Sequence, residues 1–387
     1  MKYKFVVLIL LALSACKVEK AKKPAASPEA RTEERKEEFV REIDYMDSLD
    51  YKIGQMILIG LGEKTRLDSN DVLLKEIREN KVGGIILFEK NLAAKDTKAK
   101  LKDLISTSQK EAAIPLFVSI DEEGGRVHRL KAKYGLINMP SAAWLGKTNN
   151  LDTTLYYTRQ LASLMQELGI NLNFAPDVDL ATNKDNPVIA KLDRSYSDDP
   201  EVVSAQAISS IKAHHEYKIR TVLKHFPGHG SSTTDSHFGL TDVTNQWDPK
   251  ELIPFKNIFE SGEADAIMTA HIVNCKLDST CLPATLSKSV ITGILRDFMK
   301  FDGVIFSDDM QMYAISKNYG LENAIRLSIL AGVDVLIFGN NVVLKQHNSA
   351  SDIHAIIKKM VENGEISAQR IDESYRRVMA LKNKKFN

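Results

Sequence analysis

The sequence has no excess of charge of either sign, because 51 aspartates and glutamates balance its 52 lysines and arginines. No overall electrostatic field therefore draws the protein to nucleic acid or to anionic lipid. The chain also lacks an internal repeat, and no Gly-x-Gly-x-x-Gly motif follows the first candidate strand, which argues against a nucleotide-binding sheet. A hydrophobic share of 43% excludes a mostly disordered chain. We therefore expect a neutral, globular protein that does not bind nucleic acid.

The apolar run at the start of the chain is too short to cross a bilayer as a mature helix. It extends from Phe5 to Leu13 and follows Lys2 and Lys4, which is the layout of a signal peptide. The run continues into Leu-Ser-Ala-Cys, which resembles the lipobox of bacterial lipoproteins, so we predict cleavage before Cys16 and lipidation of that cysteine. The attached acyl chains would hold the protein at a membrane without a transmembrane helix. An ordinary signal peptide with an incidental cysteine is the alternative.

These features divide the chain into three predicted regions. Residues 1–15 form a lipoprotein signal peptide, residues 16–42 a flexible charged tether, and residues 43–387 one folded domain. The expected location is the cell envelope outside the cytoplasm, with the lipid anchor as the only contact with the membrane. In that oxidising compartment, Cys275 and Cys281 either close a small disulfide loop or remain separate thiols.

Eight short runs rich in Val, Ile, Leu and Phe recur along the folded domain. Several are continuously apolar rather than alternating, as expected for parallel strands that are covered on both faces. The candidate strands are Gln55–Leu61, Gly83–Phe88, Leu116–Asp121, Leu172–Leu180, Thr221–Phe226, Ala266–His271, Gly303–Asp308 and Val335–Gly339.

Segments with helical spacing separate these strands. Clear examples are Thr154–Leu168 and Glu201–Tyr217, and Ser367–Lys382 is expected to close an outer ring of helices. We expect His214 and His215 on the exposed face of the second helix. Alternation of eight strands with helices predicts an α/β fold, a single (β/α)₈ TIM-type barrel. A doubly wound open sheet is the structural alternative.

Polar residues follow five of the candidate strands at their C-terminal ends, where a (β/α)₈ barrel carries its catalytic groups. They are Asp121, the pair Asp177 and Asp179, Lys224-His225, His271 and Ser307-Asp308-Asp309. Convergence from five strands indicates an enzyme site. Asp177 and Asp179 either cap a loop or contact the ligand, and we interpret Asp308 as functional and Asp309 as a helix N-cap.

A second feature is the sequence Asp235-Ser-His237 in a loop of small polar residues. A carboxylate two positions from an imidazole can accept its N–H and raise its basicity. Such a dyad can donate a proton to a leaving oxygen and later take one from water. An Asx turn beside a loop histidine is the alternative.

Several motifs together resemble glycoside hydrolase family 3, specifically its β-N-acetylhexosaminidase branch. The resemblance covers the chain from about residue 50 to residue 340. It is carried by Gly83-Gly-Ile-Ile-Leu-Phe88, Asp121-Glu-Glu-Gly-Gly-Arg-Val-His-Arg129, Asn171-Leu-Asn-Phe-Ala-Pro-Asp-Val-Asp179, Asn186-Pro-Val-Ile189, Lys224-His-Phe-Pro-Gly-His-Gly230, Asp235-Ser-His237 and Phe306-Ser-Asp-Asp-Met-Gln-Met312.

The resemblance implies a retaining glycosidase that removes terminal N-acetyl-β-D-glucosamine from peptidoglycan fragments or other glycans. It implies that Asp308 is the nucleophile, which forms a covalent glycosyl-enzyme, and that His237 is the acid/base, oriented by Asp235. Retention follows for a carboxylate nucleophile. No cofactor or metal is expected, and nothing in the sequence requires more than a monomer.

The resemblance also implies which residues bind the sugar. Asp121, Arg129, Lys224 and His225 fall on the positions that bind the hydroxyl groups of the N-acetylhexosamine. Arg194 is the nearest candidate for an arginine that follows the Asn-Pro-Val-Ile segment, although the intervening stretch is longer than the family pattern.

Three other functions stay open at this stage. A histidine acid/base repels anions less than a carboxylate does, so phosphate could replace water and make the protein an N-acetylglucosaminide phosphorylase. A sugar-binding lipoprotein without catalysis is the second alternative. The third is a metal-dependent hydrolase, because the sequence offers enough zinc-ligand types in His225, His229, Asp235, His237, His271 and Asp308.

Overall fold

A computed structural model describes residues 48–235, 239–341 and 348–386. The predicted signal peptide, the tether, Cys16 and His237 lie outside the described residues. Within the described ranges, no helix combines the length and the apolar character needed to cross a bilayer.

The described residues contain a closed barrel of parallel strands, as the sequence predicts. The strands pair in the order β1-β10-β9-β7-β5-β4-β3-β2, and β1 pairs with β10 to close the ring, which excludes the open sheet. The bounds are β1 Ile57–Gly60, β2 Gly84–Leu87, β3 Phe117–Ile120, β4 Leu172–Asn173, β5 Arg220–Phe226, β7 Ala266–Thr269, β9 Val304–Asp309 and β10 Val335–Phe338, with a separate parallel pair of β6 Thr241–Asp242 and β8 Ile272–Val273.

Helices follow the strands around the outside of the barrel. They are α1 Leu49–Gln55, α2 Val72–Arg78, α3 Thr97–Lys110, α4 Ala142–Thr148, α5 Leu151–Leu168, α6 Pro200–Glu216, α7 Ile253–Glu260, α8 Tyr313–Ser316, α9 Leu321–Ala331, α10 Ala350–Glu362 and α11 Ala368–Lys382, with a π-helix at Ser289–Phe298. The predicted helices α5, α6 and α11 are confirmed to within a few residues at their ends.

The barrel interior is a packed apolar core. Phe306 lies edge-on to both Phe117 and Phe174, with ring centroids 6.0 and 5.5 Å apart, and all three rings are buried. Aromatic pairs favour such edge-to-face contacts. The interior is therefore filled, and the space for a ligand lies above it, at the C-terminal ends of the strands.

The fourth strand is much shorter than the predicted Leu172–Leu180, because β4 ends at Asn173. Pro176 has no N–H to donate to a neighbouring strand, so regular pairing cannot continue through it. Pairing resumes beyond the proline, where the Val178 N–H donates to the Lys224 carbonyl at 2.8 Å. Residues 177 and 178 therefore stay beside β5, outside the regular strand.

The expectation that His214 is a surface residue is wrong. Its side chain is only 1% exposed; Nδ1 lies 2.8 Å from the Ser210 carbonyl, and Nε2 lies 3.0 Å from Asn173 Nδ2. The helical spacing gave no sign that Asn173 of β4 provides a hydrogen-bond partner for the His214 ring, which packs against the sheet. His215 is half-buried, with Nε2 2.7 Å from Asp265 Oδ2.

Cys275 and Cys281 form a disulfide with their Cα atoms 4.5 Å apart. Of the two arrangements left open by the sequence, the structure therefore has the closed loop. The disulfide loop follows β8, which comes directly after the C-terminal end of β7.

A buried carboxylate joins the last barrel strand to the outer helices. Asp334 is fully buried, and its oxygens accept from Arg296 Nη2 at 2.7 Å, Arg370 Nη2 at 3.0 Å and Ser374 Oγ at 2.8 Å. The backbone N–H of Ile305 also donates to it, at 3.1 Å. This one side chain therefore links β9, β10, the π-helix and α11.

We predict that Asp334→Asn lowers the free energy of unfolding by about 3 kcal/mol, because the guanidinium groups of Arg296, Arg370 and Arg377 lose their buried counter-charge. Urea denaturation followed by circular dichroism measures the change. Asp302→Asn is the control, since Asp302 is highly exposed and its contact with Arg377 is solvated. Equal stability of the two variants would contradict the role of Asp334.

Candidate active site

A cavity of about 240 Å³ opens at the C-terminal ends of the barrel strands. Its apolar lining includes Phe88, Val127, Leu192 and Met268. The structure brings together in this cavity all the predicted site residues that it describes, namely Asp121, Arg129, Arg194, Lys224, His225, Asp235 and Asp308. These residues lie at the ends of β3, β4, β5 and β9 or in the loops that follow them, so four of the five strands that the sequence singled out supply side chains to one space.

Glu123 lies at the centre of the charged groups, although the sequence analysis did not select it. Its side chain is 3% exposed and contacts Lys224 Nζ at 2.6 Å. It also forms a two-point ion pair with Arg194, through Nε at 2.8 Å and Nη2 at 2.9 Å. Burial alone would raise the pKa of Glu123, but the Arg194 and Lys224 cations outweigh burial and hold the pKa well below its usual range.

Lys224 is buried and extends from β5 between two acidic groups. Its Nζ donates to Asp121 Oδ1 at 2.8 Å, on the opposite side from Glu123. Burial opposes the charged form of Lys224, yet the adjacent Asp121 and Glu123 carboxylates raise its pKa. Arg129 approaches the second oxygen of Asp121 to 3.9 Å. The site therefore holds fixed positive charges beside an accessible carboxylate.

Arg194 reaches the cavity despite the longer stretch that precedes it. Its Nη1 donates to the Val188 carbonyl at 2.9 Å, and Nη2 lies 3.3 Å from Asp177 Oδ2 and 3.2 Å from His225 Nε2. Burial opposes its charge, but Glu123 and Asp177 outweigh burial and raise the pKa of Arg194 further. The extra residues form a 3₁₀ turn at Ala190–Leu192 that returns the chain to the site.

These contacts fix the tautomer of His225. A guanidinium group can only donate, so His225 Nε2 accepts from Arg194 and the ring proton is on Nδ1. Nδ1 then donates to Asp179 Oδ2 at 2.6 Å. Burial first and the Arg194 cation second lower the pKa of His225 to about 4. The imidazole is therefore neutral near pH 7.

Asp177 and Asp179 lie behind Arg194 and His225, and both are almost completely buried. Asp179 Oδ1 accepts the backbone N–H of His229 at 2.7 Å and that of His225 at 3.3 Å, so it holds the loop that follows β5. Burial raises the pKa of Asp179 to about 6, against these hydrogen bonds. Burial and the neighbouring Asp179 raise the pKa of Asp177 well above its usual range. Asp177 Oδ1 accepts the Asp179 N–H at 2.9 Å, and neither residue lines the cavity, so loop support fits both better than ligand contact.

Glu122 organises the loop that carries Arg129. Its carboxylate accepts from the backbone N–H groups of Arg129 at 2.5 Å and Leu130 at 2.7 Å and contacts His128 Nδ1 at 2.5 Å. The loop turns at Gly124, where φ is +95° and an added Cβ would lie 2.2 Å from the Pro140 carbonyl oxygen. Only glycine fits this turn without strain.

Asp308 and Asp309 end β9 and differ in role. Asp308 is half-buried at the cavity, and its Oδ1 accepts the Asp309 N–H at 2.7 Å. Asp309 is not a helix N-cap, so that prediction is wrong: α8 begins only at Tyr313. Its Oδ1 instead accepts from Gln311 N at 3.0 Å and Gly339 N at 3.1 Å, which ties β9 to the end of β10.

The described members of the predicted zinc-ligand set do not converge on one point. His271 contacts Thr285 Oγ1 at 2.8 Å and the Asp309 carbonyl at 3.0 Å, and His229 Nδ1 contacts Ser232 Oγ at 2.7 Å. Within the part of the chain that the structure describes, one group has ligand atoms close enough to share a metal ion, namely Asp177, Asp179 and His225. A cation there would face the Arg194 guanidinium and displace the proton of His225, so this buried group does not fit a catalytic metal.

A family model and two related proteins match most of the chain. The model of the glycosyl hydrolase family 3 N-terminal domain matches residues 48–381. A beta-hexosaminidase A from Pseudoalteromonas piscicida is 31% identical over 325 residues, which is 78% of this chain and 53% of that protein. A beta-hexosaminidase from Tolumonas auensis is 35% identical over 270 residues, which is 68% of this chain and 78% of that protein.

A solved structure shows the same architecture. The glycoside hydrolase family 3 beta-N-acetylglucosaminidase from Paenibacillus sp. str. FPU-7 superposes with a TM-score of 0.78 at 34% identity, over 87% of this chain and 62% of that chain. The present chain thus spans only about half to two thirds of the length of two of these three proteins.

We predict that His225 stays neutral in the folded protein down to about pH 5, because burial and Arg194 disfavour the imidazolium. Nitrogen NMR of the imidazole, recorded during a pH titration, measures the midpoint. Arg194→Gln removes the adjacent cation and is expected to move the midpoint upward. A wild-type midpoint near the ordinary value of about 6.5 would contradict the assigned hydrogen bonds.

Proposed function

Because the chain belongs to glycosyl hydrolase family 3, we propose that it is a retaining β-N-acetylhexosaminidase that hydrolyses terminal N-acetyl-β-D-glucosamine from glycans. The observation that carries the proposal is the convergence of the predicted sugar-binding and catalytic residues on one cavity, with Asp308 at its edge. The names of the related proteins, beta-hexosaminidase and beta-N-acetylglucosaminidase, support the choice of sugar.

In the first step the Asp308 carboxylate attacks the anomeric carbon, and the bond from that carbon to the leaving oxygen breaks. His237 donates its proton to that oxygen, and Asp235 orients the imidazole and stabilises its charge. In the second step a water molecule gives a proton to His237 and its oxygen to the anomeric carbon, which releases Asp308. Two displacements at one carbon retain its configuration.

The sugar-binding role rests on groups whose positions are already fixed before a ligand arrives. The Asp121 carboxylate can accept hydrogen bonds from sugar hydroxyl groups. Lys224 and Arg194 can donate hydrogen bonds to them from positions that Glu123 fixes. Both ring nitrogens of His225 are engaged by Arg194 and Asp179, so His225 borders the cavity as a neutral ring and adds no charge there. Groups that need no reorganisation on binding contribute most to the stability of the transition state.

The cellular context of this proposal comes from the N-terminal sequence. Lipidation of Cys16 after removal of residues 1–15 would place the enzyme in the cell envelope, on a tether of residues 16–42. Peptidoglycan fragments present a terminal N-acetylglucosamine in that compartment, and we propose them as substrates. The proposed enzyme acts as a monomer, since the described residues of one chain supply the cavity.

We expect the protein to release 4-nitrophenol from its N-acetyl-β-D-glucosaminide equally well with and without phosphate. Asp308→Asn removes the nucleophile and should lower kcat by about three orders of magnitude, roughly 4 kcal/mol of barrier. Asp302→Asn, at an exposed position on another surface, is the control and should retain wild-type kcat.

Two outcomes would change this assignment. Release that depends on added phosphate would identify a phosphorylase on the same scaffold. Binding of N-acetylglucosamine by wild type and Asp308→Asn alike, without release by either, would identify a sugar-binding protein without catalysis.

Glu123→Gln tests the support of the sugar-binding groups. An amide cannot balance two buried cations, so we predict about a 100-fold loss of kcat/KM, or roughly 2.7 kcal/mol, expressed mainly as a higher KM. Steady-state kinetics on the same substrate measures it. Glu216→Gln is the matched control, because Glu216 forms a two-point pair with Arg159 at 2.7 Å that is exposed to solvent. Unchanged KM in Glu123→Gln would contradict the role of Glu123.

A further inference from the structure

Among the described residues, a hydrogen bond joins the two ends of the loop that carries Asp235. Thr234 Oγ1 donates to Thr241 Oγ1 at 3.0 Å, which joins the chain immediately before Asp235 to the start of β6. Thr241 is fully buried, whereas Asp235 faces the cavity. The position of β6 therefore sets where this loop begins and ends.

β6 is held in turn by the segment that follows β7. Thr241–Asp242 pair in parallel with Ile272–Val273, and the Val243 N–H donates to the Val273 carbonyl at 2.9 Å. The next contact is from the Cys275 N–H to Thr244 Oγ1, also at 2.9 Å. Residues 241–244 are thus held along the segment from 272 to 275.

A small apolar cluster, separate from the barrel core, fills the space beneath this pairing. Val243, Ala270 and Ile272 are fully buried against each other, and Trp247 packs on them. The Trp247 indole N–H donates to the Pro227 carbonyl at 3.2 Å, in the loop that follows β5. The support is therefore a compact unit of its own.

The Cys275–Cys281 disulfide closes the far end of this unit. Val273 forms an antiparallel bridge with Pro283. Cys275 and Cys281 are each two residues further into the turn, so the disulfide links the two sides of the turn beyond that bridge. Cys281 is exposed, and between the cysteines the turn packs few apolar side chains. Hydrogen bonds within the turn, from the Leu277 N–H to the Asn274 carbonyl at 3.0 Å and from the Cys281 N–H to the Asp278 carbonyl at 2.9 Å, set its shape. The disulfide adds a covalent link between its two ends, beside the Cys275 N–H that contacts Thr244.

We propose that the Cys275–Cys281 disulfide is a positioning element for proton donation: it restrains β8, and through β8 and β6 it restrains Thr234, the residue directly before Asp235. This inference rests on the proposed function. The sugar-binding groups Arg194 and Lys224 come from another loop and from β5, and their ion pairs with Glu123 hold them in place. Loss of the disulfide therefore impairs acid catalysis and leaves sugar binding in place.

The test uses the full-length double variant Cys275→Ser/Cys281→Ser and two substrates. Chitobiose has a sugar leaving group that needs a proton, whereas 4-nitrophenolate leaves almost without one. We expect kcat/KM to fall about tenfold for chitobiose and to change less than twofold for the 4-nitrophenyl glycoside. Thr280→Ala is the matched control, because Thr280 lies in the same turn and bonds only to Asp278 among the contacts described for it.

Thr241→Val provides a second route that keeps the disulfide. It removes the hydroxyl that accepts from Thr234, and we expect the same selective loss on chitobiose. Wild-type values on both substrates, or a parallel loss on both, would overturn the positioning role while the proposed function stands. A wild-type protein that cleaves neither substrate would overturn the proposed function itself, and this inference with it.

Discussion

The site depends on the ion pairs that Glu123 makes with Lys224 and Arg194. Glu123 lies in the loop after β3, Arg194 lies in the segment after β4, and Lys224 lies in β5 itself. All three side chains are buried or nearly so. Burying three charges carries a large desolvation cost, which is offset only when each charge keeps close partners of opposite sign. Glu123 supplies three such contacts within 3 Å, so one carboxylate fixes two donors that face the sugar.

Further contacts extend outward from this centre and set the state of each neighbouring group. Arg194 holds the His225 ring in one tautomer, and Asp179 completes that arrangement from behind. Lys224, which Glu123 holds in place, donates a hydrogen bond to Asp121 and so orients the carboxylate that is accessible in the cavity. The half-buried Asp308 lines the same cavity from the end of β9, so the proposed nucleophile and the fixed binding groups border one space.

The sequence allowed the barrel to be predicted because continuous apolar runs mark buried parallel strands, and polar residues interrupt those runs only at their ends. The same logic selected Asp121, Lys224, His225 and Asp308, which line one cavity in the structure. Asp235 was selected from its loop sequence, and Arg129 and Arg194 only from the resemblance to glycoside hydrolase family 3; these three line the same cavity. The strand-end pattern could not select Glu123, because three acidic residues follow β3 in a row and the pattern does not say which way each points. In the structure Asp121 faces the cavity, Glu122 turns to the loop at Arg129, and Glu123 turns back to Lys224.

Two other differences have the same origin in contacts between distant segments. Asp309 was expected to cap a helix, but a strand neighbour at Gly339 uses its oxygen instead. His214 was placed on a surface by helix periodicity, but Asn173 supplies a buried partner. Local patterns predict elements well, whereas the partner of a buried polar group depends on which strand becomes its neighbour.

The central claim is that Asp308 forms a covalent bond to the sugar. It is tested most directly by incubating the protein with 5-fluoro-N-acetylglucosaminyl fluoride, which slows release of the glycosyl-enzyme, and by mass spectrometry of the digested protein. The account predicts one added glycosyl group, located on the peptide that contains Asp308 and lost in Asp308→Asn. A glycosyl group on another residue, or an active enzyme that never carries one, would contradict it.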